Sequence, residues 1–124
     1  MKYLLDTHIF LWYIENDSRL DKKFYNIIED STNEIYLSVV AVWELIIKAS
    51  IGKFKCDLSI IDFSNKYCAL HNIRLIDLII EDLHGLEYLP LIHKDPFDRL
   101  MIVQSKNRNI TFISDDTFVK SYLK

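Results

Sequence analysis

The sequence predicts an α/β protein, a three-layer α/β/α sandwich with a mostly parallel central sheet. Short β-rich apolar runs recur at residues 3–5, 34–38, 73–76 and 110–113, and the stretches between them carry apolar residues at helical spacing. Helix start and stop signals punctuate those stretches, notably Asp21, Asp95-Pro96 and Gly52. Strands that alternate with helices along a whole chain imply parallel pairing with right-handed crossovers and helices on both faces. The 124 residues form one domain, 1–124, large enough to bury a core without disulfides or a structural metal.

The first strand ends at Leu5, and Asp6-Thr7 turns it into a helix of about two turns from His8 to Ile14. Asp21 caps a second helix whose Phe24, Ile27 and Ile28 share a face. After the buried strand 34–38 the period becomes helical: Val39, Val42, Trp43, Ile46 and Ile47 form an apolar stripe expected to face the core, Glu44 lies off it, and Gly52 ends the helix. Ile60, Phe63, Tyr67 and Leu70 predict a helix over 59–71, and Ile79, Ile80, Leu83 and Leu86 a shorter one after strand 73–76. Asp95 as N-cap and Pro96 at the first helical position start a helix that places Asp98 at its third position and ends in basic Lys106 and Arg108. Strand 110–113 leads to Ser114-Asp115-Asp116, which caps a closing helix to Leu123.

Composition excludes several function classes. With only two Gly and two Pro there is no room for flexible linkers, and no apolar run approaches the roughly 18 residues of a membrane span. A soluble, cytoplasmic protein with no membrane partner is expected. Cys56 and Cys68 have no CxxC spacing and read as reduced thiols in or near the core; with His71 they match no zinc framework. A net charge of −3 argues against gripping nucleic acid by bulk electrostatics, so any polyanion must meet a local basic patch or a metal.

In open α/β sheets the ligand site lies beyond the carboxyl ends of the strands. Asp6 follows the first strand, Glu44 sits inside the helix after the second, Asp98 opens a late helix, and Asp115 and Asp116 follow the last strand. Each has an ordinary alternative: Asp6, Asp95 and Asp115 as caps, Asp98 as an acid complementing the helix dipole, Glu44 as a partner of Lys48 at i+4. Their recurrence at one end of the sheet is what those alternatives leave unexplained. Carboxylates within about 4 Å repel by roughly 4 kcal/mol per pair at an effective dielectric of about 20, so a cation belongs among them. Oxygen ligands alone fit Mg²⁺ or Mn²⁺, which can activate water for phosphodiester cleavage. Receiver domains and haloacid-dehalogenase-type phosphatases also place an acid after a first strand. Asp6-Thr7-His8 lacks the second Asp of the phosphatase pair, and no Lys immediately follows a late strand as a receiver needs.

Five strings, Leu4-Leu5-Asp6-Thr7-His8, Ser38-Val39-Val40-Ala41-Val42-Trp43-Glu44, Leu45 to Lys48 with Gly52-Lys53, His93-x-Asp95-Pro96-Phe97-Asp98-Arg99 and Thr111-Phe112-Ile113-Ser114-x-Asp116, occur in order along almost the whole chain. In these the chain resembles PIN-domain nucleases of the VapC toxin type. The resemblance implies a PIN-like fold, a Mg²⁺- or Mn²⁺-dependent endoribonuclease acting on an RNA substrate, a cognate antitoxin that holds the toxin inactive, and a homodimer. It places the catalytic, metal-binding acids on Asp6, Glu44, Asp98 and Asp116, with Asp95 as the cap that orients Asp98. Thr7 and Ser38 are candidates to hydrogen-bond substrate or metal-bound water, with turn or capping roles as the alternative. Arg99, with Lys94 and Lys48, is a candidate phosphate contact. Trp12, Tyr13 and Trp43 could stack on bases, with core or subunit packing as the competing role. A PIN fold kept for RNA binding or RNA processing, without toxicity, is the alternative function.

Overall fold

A computed structural model describes residues 1–116 and Lys120; the closing helix expected up to Leu123 lies outside the described residues. The elements are β1 (Lys2–Leu5), α1 (Thr7–Ile14), α2 (Lys22–Glu29), β2 (Glu34–Ser38), α3 (Val39–Ser50), α4 (Ile60–Leu70), β3 (Ile73–Ile76), α5 (Ile80–Tyr88), α6 (Pro96–Arg108) and β4 (Thr111–Ile113). The four strands form one all-parallel sheet in the order β3-β2-β1-β4, the centre of an α/β/α fold. In register, Leu5 lies beside Leu37 and Ile113, and Leu37 beside Leu75, so the strands finish at one level.

Two junctions concentrate chemistry at that level. Between β1 and α1 stands one residue, Asp6, whose amide donates to the Ile113 carbonyl at 3.0 Å and carries the pairing one step past the strand. Between β2 and α3 there is no connector: Ser38 ends the strand and caps the helix, its Oγ accepting from the Val40 amide at 3.0 Å. The same hydroxyl donates to Gln104, so Ser38 is fully buried and serves the cap. Leu4, Leu5, Phe10, Leu37, Leu45 and Met101 are sealed from solvent between sheet and helices.

α3 corrects one expectation. The stripe Val39, Val42, Trp43, Ile46 and Ile47 is only in part its core face: Val42 is buried, but Trp43 is 47 % exposed and Ile46 and Ile47 are exposed too, while Val40, Ala41, Glu44 and Leu45 are buried off the stripe. A helix apolar on nearly every side has no periodicity that chooses its inner face, and the buried contacts of Glu44 and Leu45 decide it. In α5, likewise, Ile80 and Leu83 are exposed and Asp82 is buried. Gly85 permits this close packing, since a Cβ there would lie 2.6 Å from Val103 Cγ1 of α6. Leu70, at the end of α4, faces solvent as well, and of the two thiols Cys68 is buried but Cys56 is exposed.

Candidate active site

Four of the acids singled out in the sequence, Asp6, Glu44, Asp98 and Asp116, line one cavity of about 330 Å³ beyond the carboxyl edge of the sheet, joined by His93, Asp95 and Asp115. Asp6 stands at the N-cap position of α1, but its side chain makes no capping bond; it accepts from Ser114 Oγ at 2.7 Å. Ser114 is buried and accepts in turn from the Asp116 amide at 3.0 Å, which links the acids after β1 and β4 through one hydroxyl. Glu44 is only 8 % exposed: Thr7 Oγ1 donates to Oε1 at 2.7 Å, and Lys48 Nζ lies 3.3 Å from Oε2. Asp95 caps α6 through the amides of Phe97 and Asp98 at 2.9 and 3.1 Å, which fixes the turn that carries Asp98. His93 Nε2 lies 2.7 Å from Asp98 Oδ2 and 3.7 Å from Asp116 Oδ2.

Two of the carboxylates in this cavity, Asp6 and Asp98, are held against their ordinary ionisation. Burial raises the pKa of Asp6, with Ser114 opposing and the Glu44 charge adding to the rise. Burial pushes Asp98 up to about 7, helped by the charges of Asp6 and Asp95 and opposed by His93. Groups that hold protons in the folded chain and lose them near pH 4 when unfolded make the metal-free protein less stable as pH rises from about 4 through about 7. The expected result is a lower urea midpoint at pH 8 than at pH 5, with the difference reduced by saturating Mg²⁺. A midpoint independent of pH across that interval would contradict it.

The donor set fits a divalent cation. Ligand atoms of His93, Asp98 and Asp116 lie within 4.8 Å of one another, and the adjoining acids supply more negative charge than Lys48 and His93 can balance. Carboxylate oxygens in excess suit a hard divalent cation.

Three further candidates are placed as follows. Arg99 directs its guanidinium to the carbonyls of Leu89, Pro90 and His93, which ties the 89–93 segment to the start of α6. Trp12 lines the acid cavity, whereas Trp43 lies outside it and packs edge-on against Phe97. His93 and Ser114, which stand in the same sequence strings as Asp98 and Asp116 but are not among the site residues assigned from them, sit among the acids. The usable signal was local: His93 stands two residues before the Asp95 cap, and Ser114 directly follows a strand.

Fold and site together define an α/β/α protein with an acid-lined, cation-attracting pocket at the carboxyl edge of a parallel sheet. The PIN domain profile matches residues 3–122, and the chain belongs to the PIN domain family. It is similar in structure to VapBC2 from Rickettsia felis, solved bound to a DNA fragment from its promoter, with a TM-score of 0.68 and 19 % identity over 98 % of this chain and 93 % of that one. No curated protein sequence matches the chain.

Proposed function

We propose that this PIN-domain protein is a Mg²⁺- or Mn²⁺-dependent endoribonuclease and the toxin of a toxin–antitoxin pair. The observation that carries the reading is the shared cavity: Asp6, Glu44, Asp98 and Asp116 arrive from four separate parts of the chain to line it. These four would hold the cation, which when bound would activate a water and offset charge on the leaving oxygen of a phosphodiester. The surrounding residues act by positioning. Thr7 and Lys48 fix the two oxygens of Glu44, Ser114 fixes Asp6, and the Asp95 cap fixes the backbone beneath Asp98. His93 holds a ring nitrogen against Asp98.

Family membership supports nuclease chemistry, and likeness to a VapBC complex supports an antitoxin partner. Uncovered apolar side chains on α3 and α4, among them Trp43, Ile46 and Ile61, are the kind of surface that a partner protein or a second copy would cover.

The test is incubation of the purified chain with total cellular RNA in EDTA, Mg²⁺ or Mn²⁺, read by mapping new 5′ ends. Discrete cuts are expected with either cation and none in EDTA. Cuts that persist in EDTA, or none under any condition, would remove the metallonuclease. In cells, expression without a partner is expected to arrest growth, and Asp6→Asn to relieve the arrest; equal growth would leave a PIN nuclease that is not a toxin.

A further inference from the structure

A second cleft of about 500 Å³ adjoins the acid cavity and shares His8 and Trp12 with it. Its character is opposite. Arg19, Lys48, Lys53 and Lys55 line it against a single acid, Glu15. Lys48 stands at the boundary, its Nζ 3.3 Å from Glu44 Oε2 on the acid side and 3.2 Å from His8 Nε2. Arg19 is paired with Asp17 and lies 5.2 Å from the centre of the Trp12 ring, whereas no ion pair engages Lys53 or Lys55 among the described residues.

The segment Gly52-Lys53-Phe54-Lys55 is built to present these lysines. Gly52 takes φ +78°, its amide donates to the Ala49 carbonyl at 3.2 Å, and the Lys53 amide donates back to the Lys48 carbonyl at 2.8 Å. This paired closure of a helix end reverses the chain and brings Lys53 beside Lys48. Phe54 then packs edge-on against Phe63 with ring centres 5.3 Å apart, anchoring the segment while the lysines on either side remain exposed.

We infer that this cleft is the subsite for phosphates flanking the scissile bond of a single-stranded RNA, with Lys53 and Lys55 as its charge contacts and Trp12 at the junction with the acid cavity. The inference rests on the nuclease reading above and deepens it. A chain of net charge −3 with a carboxylate pocket repels a polynucleotide at the point where it must be cut. Binding energy therefore has to come from beside that point, and this cleft opens onto it. An aromatic ring next to unpaired cations is the combination that single-stranded RNA uses, bases on the ring and phosphates on the lysines.

The test measures binding of a labelled single-stranded RNA of mixed sequence against salt, in EDTA and in an Asp98→Asn background that prevents turnover. Each phosphate contact on a single strand contributes about 0.7 to the slope of log affinity against log salt. Lys53→Gln with Lys55→Gln is expected to lower that slope by about 1.4 and to weaken binding on the order of tenfold near 0.1 M salt. Lys23→Gln with Lys66→Gln, an equal change of charge on exposed residues outside the cleft, is expected to leave the slope unaltered. An unchanged slope in the cleft variant, or an equal loss in the outside variant, overturns the subsite. So does a polyglutamate peptide that displaces the RNA as well as unlabelled RNA does, since the cleft would then be a dock for acidic protein. Metal-dependent cleavage by the unsubstituted chain is scored separately. Cleavage with an insensitive slope removes the cleft alone, and a lysine-dependent slope without cleavage removes the nuclease and with it the cleft's role beside a scissile bond, leaving only an RNA-binding cleft.

Discussion

Replacing Asp98 with Asn is expected to lower metal-dependent RNA cleavage on the order of 10³-fold while making the metal-free protein more stable at pH 8. The two effects have one cause. Asp98 is 8 % exposed, and burial with the charges of Asp6 and Asp95 brings its pKa to about 7, so keeping it ionised above that pH works against the fold. At about 1.4 kcal/mol per pKa unit, a rise from 3.8 to about 7 outweighs the roughly 0.3–1 kcal/mol that an acid gains in the first turn of a helix. Asn keeps the shape and an oxygen for His93, and the Asp95 cap bonds the Asp98 backbone rather than its side chain. The charge that would bind a cation is lost, and outer-shell partners alone are worth about 10–100-fold in metal sites. Urea midpoints at pH 4, pH 5 and pH 8 for both proteins check the stability half: the gain should be largest at pH 8, smaller at pH 5, and vanish only as pH falls below about 4, where the unfolded chain holds the proton as well. A variant that still cleaves, or that is weaker than the parent at pH 8, contradicts the assignment of Asp98 as a strained cation ligand.

Asp98 also shows how the sequence can be informative and insufficient at once. Asp95-Pro96-Phe97-Asp98 was readable as a capped helix start, and the cap is present as read. What the string could not say is that the second acid points into a cavity with Asp6, since that depends on β1 and β4 being neighbours in the sheet. The strands were legible because each is short, β-rich and bounded by turn or cap signals, and their order of alternation with helices gave the parallel sheet. For Asp6 taken alone the sequence favoured a cap over a site residue; the hydroxyl of Ser114, over one hundred residues later, takes its carboxylate away from the helix amides.

Misreadings came where apolar residues surround a helix or where a polar residue is buried by a distant partner. Along α3, apolar side chains occur on most sides, so the exposed stripe around Trp43 and the buried face around Leu45 look alike in the sequence. Glu44 held the clue: a lone acid in that run is buried because Thr7 and Lys48 meet its two oxygens. The i+4 spacing points to Lys48, and the pair is present, but nothing local to α3 points to Thr7, 37 residues earlier.

Arg108→Met is expected to destabilise the protein by about 3 kcal/mol at pH 7. Its partner Asp82 is 0 % exposed, a position where an acid survives only if its charge is met. Burial pushes the Asp82 pKa up, but hydrogen bonds from Arg108, the Ile79 amide and Gln104, with the Arg108 charge, hold it below the usual carboxylate range. The guanidinium contributes two bonds, at 2.8 and 3.1 Å, and continues to the Asp77 and Gln104 carbonyls. Through Gln104 the network reaches Ser38 and the cap of α3, so one buried acid joins α5, α6 and the end of β2. Without Arg108 the carboxylate keeps only neutral donors, and its pKa should rise above the unfolded value instead of lying below it. The sign of the pH dependence then inverts: the parent's contribution from Asp82 is present above about pH 4 and is lost as pH falls, whereas the variant recovers stability as the acid is protonated. Adding Asp82→Asn to Arg108→Met removes the stranded charge, and chemical denaturation should show most of the loss recovered in the double variant. A single variant that loses less than about 1 kcal/mol, or a double variant no better than the single, would mean that the pair contributes packing and not charge compensation.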